Sequence, residues 1–449
     1  MTEVEPLKRS IGLVPATAMV VGTILGASIF VQPSVVTASV PSPGGVLLAW
    51  LVAGLLTMFG ALVAAELVSA FPRSGGVYVF LAEAWGPALG FLWGWAMFWA
   101  MHSGILAAIS VVFARYVATF VPLGPLGLKL VAIGGIMLLS LINVLGVREG
   151  GRVQTWLTAI KVAAVAALVL VLFAGARAGT PQAGSSAVTV PGFALAVGAG
   201  VFAFGGWHMV TYAAQETVDP RRTIPRALAL GTLLVTVCYV ALNAAYLHVL
   251  PMRAVIASRS VAADAASAVL GGPGARIVAA VVVISTLGAL NGIILAGPRV
   301  YYAMAQDGLL FGWFGAVHPV FRTPHRAIAL QAVWTAVLVA SGSYDSLFSR
   351  VVYTEWVFFA LMAVALLRLR RRSDYAPTYR APGVPVLPLV FAAAAFAVAA
   401  FRIASAPGEN APSIALVLAG VPVYLLWRRV NARRSAEAPR RGNADRGIP

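Results

Sequence analysis

Positions 21 to 30 read VGTILGASIF and lie inside the first long apolar segment of the chain. They place Gly22, Gly26, a threonine and a serine where a lipid-facing helix favours leucine. A glycine in a helix interior costs about 1 kcal/mol relative to alanine, so this segment is weakened at its own midpoint. Two readings fit. Small residues let neighbouring helices approach closely, or the helix is interrupted and its backbone polar groups face a ligand.

The surrounding composition supplies the context. Of 449 residues, 60% are hydrophobic and 10% charged, with a mean hydropathy of +0.89. A water-soluble domain carries about a quarter charged residues. Apolar runs long enough to cross a hydrocarbon core of about 30 Å recur along the whole sequence. Every backbone polar group must be satisfied internally in lipid, so the spans are helical. The sequence therefore predicts an all-α polytopic membrane protein.

The same composition excludes several functions. A formal charge of +17 suggests nucleic acid in a soluble protein, but in a membrane protein basic residues mark cytoplasmic loops. The single cysteine, Cys238, rules out an intramolecular disulfide and any CxxC pair. No HExxH, GxSxG or paired intramembrane carboxylates occur, so the chemistry of an enzyme is missing. The aromatic run FLWGWAMFWAMH, Phe91 to His102, reads as helix packing and interfacial belt. No cofactor and no metal site is expected. MTEVEPLKRS is acidic before it is basic and no A-x-A site ends the first apolar run, so that run reads as a retained span.

Breaks at glycine, proline and charge divide the chain into twelve expected spans, near 11–40, 44–71, 86–120, 127–147, 153–174, 191–216, 226–250, 276–306, 325–341, 346–367, 385–404 and 412–429. An even count puts both termini on one side. Lys8, Arg9, Arg73, Arg299 and the run Arg370 to Arg372 fall on the face that carries the termini, and far fewer positive charges fall opposite. That asymmetry makes the termini cytoplasmic, in a cell membrane. Residues 1–10 are expected to form a cytoplasmic N-terminus, and the basic cytoplasmic tail 430–449 suits contact with anionic lipid.

The sixth span, with GAGVFAFGGWHMVTYAAQE, carries its own mid-span glycine pair, Gly205 and Gly206. Paired glycine-interrupted spans at matching places in two halves point to an inverted-repeat transporter. If both helices unwind there, amides of the second half-helices face an anion and carbonyls of the first face a cation. A ligand carrying both groups side by side is an α-amino acid.

VGTILGASIFVQPSVV, followed by AAELVSAFPRSGGVYVFLAEAWG, resembles the first three helices of the amino acid–polyamine–organocation superfamily. FAFGGWHMVTYAAQETVDPRRTIPRAL and NGIILAGPRVYYAMAQDGLL are most similar to its L-type amino-acid transporter branch. The resemblance runs over spans 1 to 10. It implies the leucine-transporter fold: 12 transmembrane helices, a 5+5 inverted repeat over 11–174 and 191–367 with broken helices 1 and 6, and helices 11 and 12 over 385–429.

Residue by residue, the resemblance implies that backbone at Thr23, Ile24, Ala27 and Ser28 beside Gly26 holds the substrate carboxylate. Carbonyls of Ile24, Phe202 and Gly205 beside Ala203 would hold its ammonium. Phe202 would gate the site, Trp207 and His208 would border the side-chain pocket, and Asn291 would lie nearby. Two departures leave side-chain specificity open. The family usually reads GSGIF where this chain has GASIF, and His208 stands where the L-type branch usually has asparagine. His208 also fits a hydrogen-bonded packing histidine. Glu66 is given no role, and Arg115 reads as a snorkelling side chain.

Lys161 is the lone cation of the fifth span. An intramembrane lysine costs about 2.5–3.5 kcal/mol on insertion scales, so it should face the bundle interior. With no acid one turn away, its expected partners are carbonyls freed by the break in helix 1 and hydroxyls of span 8 such as Ser285. In the resembling family a lysine here stands near the place where sodium-coupled relatives hold their ion. It would act as a built-in cation, or alternatively titrate during the transport cycle.

The resulting expectation is a sodium-independent exchanger of neutral L-amino acids working by alternating access, with a proton-coupled symporter as the alternative and a non-transporting receptor behind both. A pocket of Ala27, Phe202 and Phe204 carries no acid to pair a cationic side chain. The expected partners are the amino acid and the lipid bilayer, and no nucleic acid. The animal L-type carriers join a heavy subunit through a cysteine between helices 3 and 4. The corresponding loop, VPLGPLGLK, has none, so no disulfide-linked subunit is expected.

Overall fold

The computed structural model describes residues 7–26, 28–175, 188–342, 344–405 and 407–437. Helices α1 (Leu13–Ile24) and α2 (Ser28–Ser39) share the first apolar segment, and α3 spans Pro43–Ala70. Then come α4 (Val77–Trp85), α5 (Pro87–Ala96) and α6 (His102–Val117), the last two joined by a π-helical turn at Met97–Met101. Helices α7 (Pro125–Leu145) and α8 (Val147–Ala174) precede α9 (Val190–Ala203), which leads into a 3-10 segment, Trp207–Glu216. Next are α10 (Pro220–Val249), the short α11 (Met252–Ala257) and α12 (Val261–Leu270), α13 (Gly272–Ala296) and α14 (Pro298–Gln306). The chain continues through α15 (His325–Ser341), α16 (Tyr344–Leu369), α17 (Val386–Ser405), α18 (Pro407–Leu418) and α19 (Gly420–Glu437).

Local chemistry sets these boundaries. Proline opens α3, α5, α7, α10 and α14, where its missing N–H costs nothing. Ser42 caps α3 by accepting from the Gly45 amide, and Thr189 caps α9 by accepting from that of Gly192. At Gly86 a φ of 99° lets α4 turn directly into α5.

Among the described residues, seven helical stretches are long and apolar enough to cross a membrane: Pro43–Ala70, Pro87–Val117, Pro125–Leu145, Val147–Ala174, Val190–Glu216, Pro220–Val249 and Gly272–Gln306. The chain is a helical, multi-pass membrane protein. The stretch expected over 11–40 with a break is the helix pair α1 and α2, and that over 412–429 divides between α18 and α19. Helices α11 and α12 fill a connection in which the sequence suggested no element.

The broken first segment sits at the centre. Helix α1 packs against α8, α10, α13 and the 3-10 segment. Helix α10 also runs along α3, where Trp50 meets Tyr239 edge-on at 5.3 Å between ring centroids. Cys238 is half-buried within α10, Arg115 is exposed in the last turn of α6, and Trp95, Phe98 and Trp99 pack in series as the aromatic run suggested.

Glu66, given no role above, is fully buried on α3. It accepts from Arg370 Nε at 2.8 Å and Nη2 at 2.6 Å, and from the Ala381 amide at 2.6 Å. This carboxylate fastens the α16–α17 connection to α3. Breaking a buried ion pair costs about 3–5 kcal/mol, and with 25% of the Arg370 side chain exposed the lower end applies. Arg370→Ala should therefore lower the melting temperature in detergent clearly. The Glu66→Leu/Arg370→Met double variant should recover most of the loss, because it leaves no unpaired charge. A double variant as unstable as the sum of its single changes would show that the pair acts in another way.

Candidate functional site

Both glycine-bearing spans are interrupted. Helix α1 ends at Ile24, Leu25 leaves helical geometry at φ −69° and ψ 72°, and α2 begins at Ser28. Helix α9 ends at Ala203, and Gly206 at φ 97° turns the chain into the 3-10 segment.

The glycines divide the two readings between them. A Cβ at Gly22 would run into Gln154 and Thr158 of α8, so Gly22 is a close-packing glycine. At Gly26 it would meet nothing nearer than 3.9 Å, and Gly26 borders open space at the break. Likewise Gly205 has room, whereas a Cβ at Gly206 would stand 3.1 Å from Thr23 O and Cβ. Gly206 is thus where the two breaks touch, and its positive φ favours glycine besides.

Three hydroxyls tie the breaks together. Thr23 Oγ1 lies 2.7 Å from Met19 O on its own helix and 3.0 Å from Gly206 O across the gap. Ser28 Oγ donates to Ala203 O at 3.3 Å. Tyr239 of α10 sets its hydroxyl 2.9 Å from Ile24 O and 3.1 Å from Ala203 O, one proton shared between two carbonyls freed by the two breaks.

A cavity of about 260 Å³ lies against this junction. Its wall brings together Thr23, Ile24, Gly26, Ser28, Phe202, Ala203 and Gly205 from among the predicted residues. Ala27 lies outside the described residues. Trp207 and His208 do not line the cavity, because a 3-10 segment repeats every three residues and presents Gly206 and Met209 to it instead. His208 is buried behind the wall among the rings of Trp93, Trp207, Tyr212 and Phe359.

Asn291 also points away. Ile293 of the same helix lines the cavity, and two residues along an α-helix turn the face by about 200°. Asn291 bonds Gln154 Oε1 at 2.9 Å and Gly150 O at 3.1 Å, and accepts from Asn143 at 2.9 Å. It joins α7, α13 and α8 rather than facing a ligand. A larger groove of about 880 Å³, walled by residues such as Val52, Leu56, Phe193 and Phe401, is apolar and lacks the paired backbone ends.

Glu355 was not anticipated in the wall. With Trp356 and Phe359 it forms one face of α16 on the cavity. The signal was available, because a carboxylate within an apolar span is a functional candidate by default. Its placement removes the expectation of a pocket without an acid.

Lys161 is fully buried and donates to Gly22 O at 2.9 Å, Leu25 O at 2.9 Å and Ser285 O at 3.1 Å. Two of these carbonyls belong to the broken end of α1, as expected. On α13 the partner is the Ser285 carbonyl rather than its hydroxyl, which donates instead to Leu25 O at 3.2 Å. Gly288 makes the room: a Cβ there would stand 2.8 Å from both Cε and Nζ of Lys161.

The other end of α1 is closed. The amides of Ser10 and Ile11 donate to Glu216 O at 2.8 and 3.0 Å, and that of Val218 donates to Ile11 O at 2.9 Å. The Glu216 carboxylate accepts from Arg299 Nε at 2.7 Å and Nη2 at 2.9 Å, with both side chains fully buried. Arg299, counted above among the basic loop residues, is therefore half of an internal ion pair.

Comparison with known proteins identifies the family. The family described as "Amino acid permease" matches residues 11–424. The serine/threonine exchanger SteT of Bacillus subtilis (strain 168) is 31% identical over 428 residues, covering 94% of this chain and 98% of that protein. The b(0,+)-type amino acid transporter 1 of Rattus norvegicus is 31% identical, covering 94% and 88%. The large neutral amino acids transporter small subunit 2 of Homo sapiens is 31% identical, covering 94% and 80%. These relatives are transporters and not enzymes. The chain belongs to the amino acid permease family of the amino acid–polyamine–organocation superfamily and is a multi-pass membrane transporter of amino acids.

Proposed function

We propose that the chain is a sodium-independent exchanger of neutral L-amino acids that works by alternating access. The reading assumes the leucine-transporter fold, with twelve spans, inverted repeats over 11–174 and 191–367, helices over 385–429 outside them, and both termini cytoplasmic. One observation carries it: the Lys161 ammonium lies on carbonyls at the end of α1, next to a cavity shared by two helix breaks. Three carbonyl acceptors match the three N–H donors of an ammonium, so the lysine supplies a fixed cation where a coupling ion would otherwise neutralise the helix end.

The substrate carboxylate would take the unpaired amides at the start of α2, beside Ser28. Its ammonium would take Ile24 O, which Tyr239 can release by giving its proton wholly to Ala203 O, together with Phe202 O. A cavity of about 260 Å³ suits a small or medium side chain, since sites for drug-sized ligands begin near ~300 Å³. Glu355 faces His208 at 3.4 Å, and a pair holding one proton carries no net charge toward the substrate. Cys238 within α10 and a cysteine-free α6–α7 loop support a chain that needs no disulfide-linked subunit.

Purified protein in proteoliposomes should exchange a labelled neutral amino acid without sodium, and neutral amino acids should compete best when all twenty are offered. A sodium requirement, or competition confined to cationic amino acids and diamines, would overturn the reading. Lys161→Ala should cut the exchange rate at least tenfold, because it strips the Gly22 carbonyl of its side-chain donor and leaves Leu25 O with the Ser285 hydroxyl. A fully active variant would refute the fixed-cation role.

Gly205→Val should remain monodisperse in detergent yet lose transport. A Cβ there meets only Phe202 O, at 3.4 Å, and the remaining methyls would stand in the cavity. Normal uptake would mean that the cavity at the break is not the substrate site.

A further inference from the structure

Behind the cavity lies a group of buried polar side chains, of which the exchange reading uses only the net charge of the Glu355–His208 pair. Glu355 comes from α16, His208 and Tyr212 from the 3-10 segment, His102 from the start of α6, and Tyr301 from α14. Glu355 Oε1 approaches His208 Nε2 to 3.4 Å, short of a hydrogen bond. Both nitrogens of His208, both of His102 and the hydroxyls of Tyr212 and Tyr301 are buried with no hydrogen-bond partner. Ring contacts hold them together: His208 lies 5.5 Å from Tyr212, and Tyr212 lies 5.8 Å from His102. A buried polar group left unpaired is costly, and here several such groups converge beside one carboxylate. His102 also follows directly on the π-helical turn Met97–Met101, a feature that recurs at functional sites.

We propose that Glu355, in the wall of the substrate cavity, and His208, behind it, form a proton-binding site, and that occupancy of this site sets the pH dependence of transport. The inference rests on that cavity being the substrate site. The proton count follows from the two groups. With one proton, held as a carboxylic acid beside a neutral imidazole or as a carboxylate beside an imidazolium, the pair is neutral. With none it presents a bare carboxylate to a wall of Ile105, Ile109, Met209 and Phe359, which disfavours a neutral side chain and costs desolvation energy.

Among the described side chains no other charge offsets that carboxylate. On α3, Glu66 is held by Arg370, and on α4, Glu83 lies against Arg73 and Tyr78 donates to Asp307. Arg115 of α6 is exposed near its far end, and Arg326 of α15 lies over Trp313. On α16 itself, Arg368 lies over Trp85. Lys161 is engaged with carbonyls of α1 and α13. The titratable groups facing Glu355 are therefore His208 and Tyr212, with His102 and Tyr301 beyond them.

The test is exchange of a neutral amino acid in proteoliposomes from pH 5 to 9, equal on both sides, read as the ratio of rates within each variant. Wild-type exchange should fall on the alkaline side toward about tenfold per pH unit, the limit for a single required proton. Glu355→Gln should flatten the profile, whatever its absolute rate. His208→Asn should keep a profile with a displaced midpoint, since the carboxylate still titrates alone. A pH-independent wild type, or a Glu355→Gln profile that follows the wild type, would overturn the proposal; the second result is also the one expected if Lys161 were the titrating group. A measurement independent of transport is the infrared pH-difference spectrum of the purified protein. A protonated carboxyl band should vanish at high pH in the wild type and be missing in Glu355→Gln. If no amino acid is exchanged but the band behaves so, the exchange reading fails and the proton site stands. A Glu355→Gln spectrum that retains the band would sink the site itself.

Discussion

A transmembrane helix cannot be broken without leaving carbonyls and amides that lipid will not satisfy, and this constraint organises the centre of the molecule. The carbonyls of Gly22, Ile24 and Leu25 lose helical partners where α1 stops, and Ala203 ends α9 in the same way. Each of these carbonyls is met by a side chain from a different helix: Lys161 from α8, Tyr239 from α10, Ser285 from α13 and Ser28 from α2. An unsatisfied polar group in this environment costs several kcal/mol, so the donors are conditions for the break to exist at all. In the proposed function, the amides at the start of α2 are what remains for the substrate carboxylate.

The donors differ in how firmly they hold. Lys161 spends three donors on three carbonyls, which makes the α1–α8–α13 junction the firmly held part of the site. Tyr239 shares one proton between two acceptors and can shift between them without moving its ring, which packs on Trp50 and Phe204. A hydroxyl with two near-equivalent acceptors is suited to a site that must fill and empty. At the start of α1, the buried Glu216–Arg299 pair and the strand-like bonds of Ser10 and Ile11 close the opposite end. Helix α1 has 12 residues, about 18 Å at 1.5 Å per residue, so this closure and the cavity are separated by most of a half-membrane. Under the proposed alternating-access mechanism, that separation is what two gates require.

Close packing around α1 explains why the two glycines of the opening stretch behave differently. Gly22 faces the amide of Gln154, which in turn bonds Ala18 O and Asn291 and so carries a polar ladder from α1 through α8 to α13 and α7. Such interhelical bonds hold helices together in lipid, where apolar surface alone gives little preference for a neighbouring helix. Gly26, four residues on, lies past the last helical turn and borders the cavity. One sequence pattern thus serves two purposes, and the end of the helix falls between them.

What the sequence determined by itself was whatever depends on local composition or on an environment that cannot be negotiated. Helical spans followed from apolar runs in lipid, the positions of the breaks from Gly26 and the Gly205–Gly206 pair, and the inward course of Lys161 from the cost of a cation facing hydrocarbon. Even its partners at the end of α1 could be reasoned, since freed carbonyls were the acceptors left. Tertiary structure alone decided which side chains reach the cavity. The 3-10 geometry after Gly206, three residues per turn rather than 3.6, rotates His208 and Trp207 out of the wall and Met209 into it. The rotation between Asn291 and Ile293 on α13 sends the asparagine into the polar ladder. Tyr239 reaches Ile24, 215 positions earlier in the chain, and Glu355 meets His208 across the bundle. These meetings are set by how helices rotate and cross once packed, and a one-dimensional pattern fixes the face of a helix only when one side meets lipid or water. At the centre of this bundle every face is buried, so neighbours rather than periodicity determine what each side chain touches.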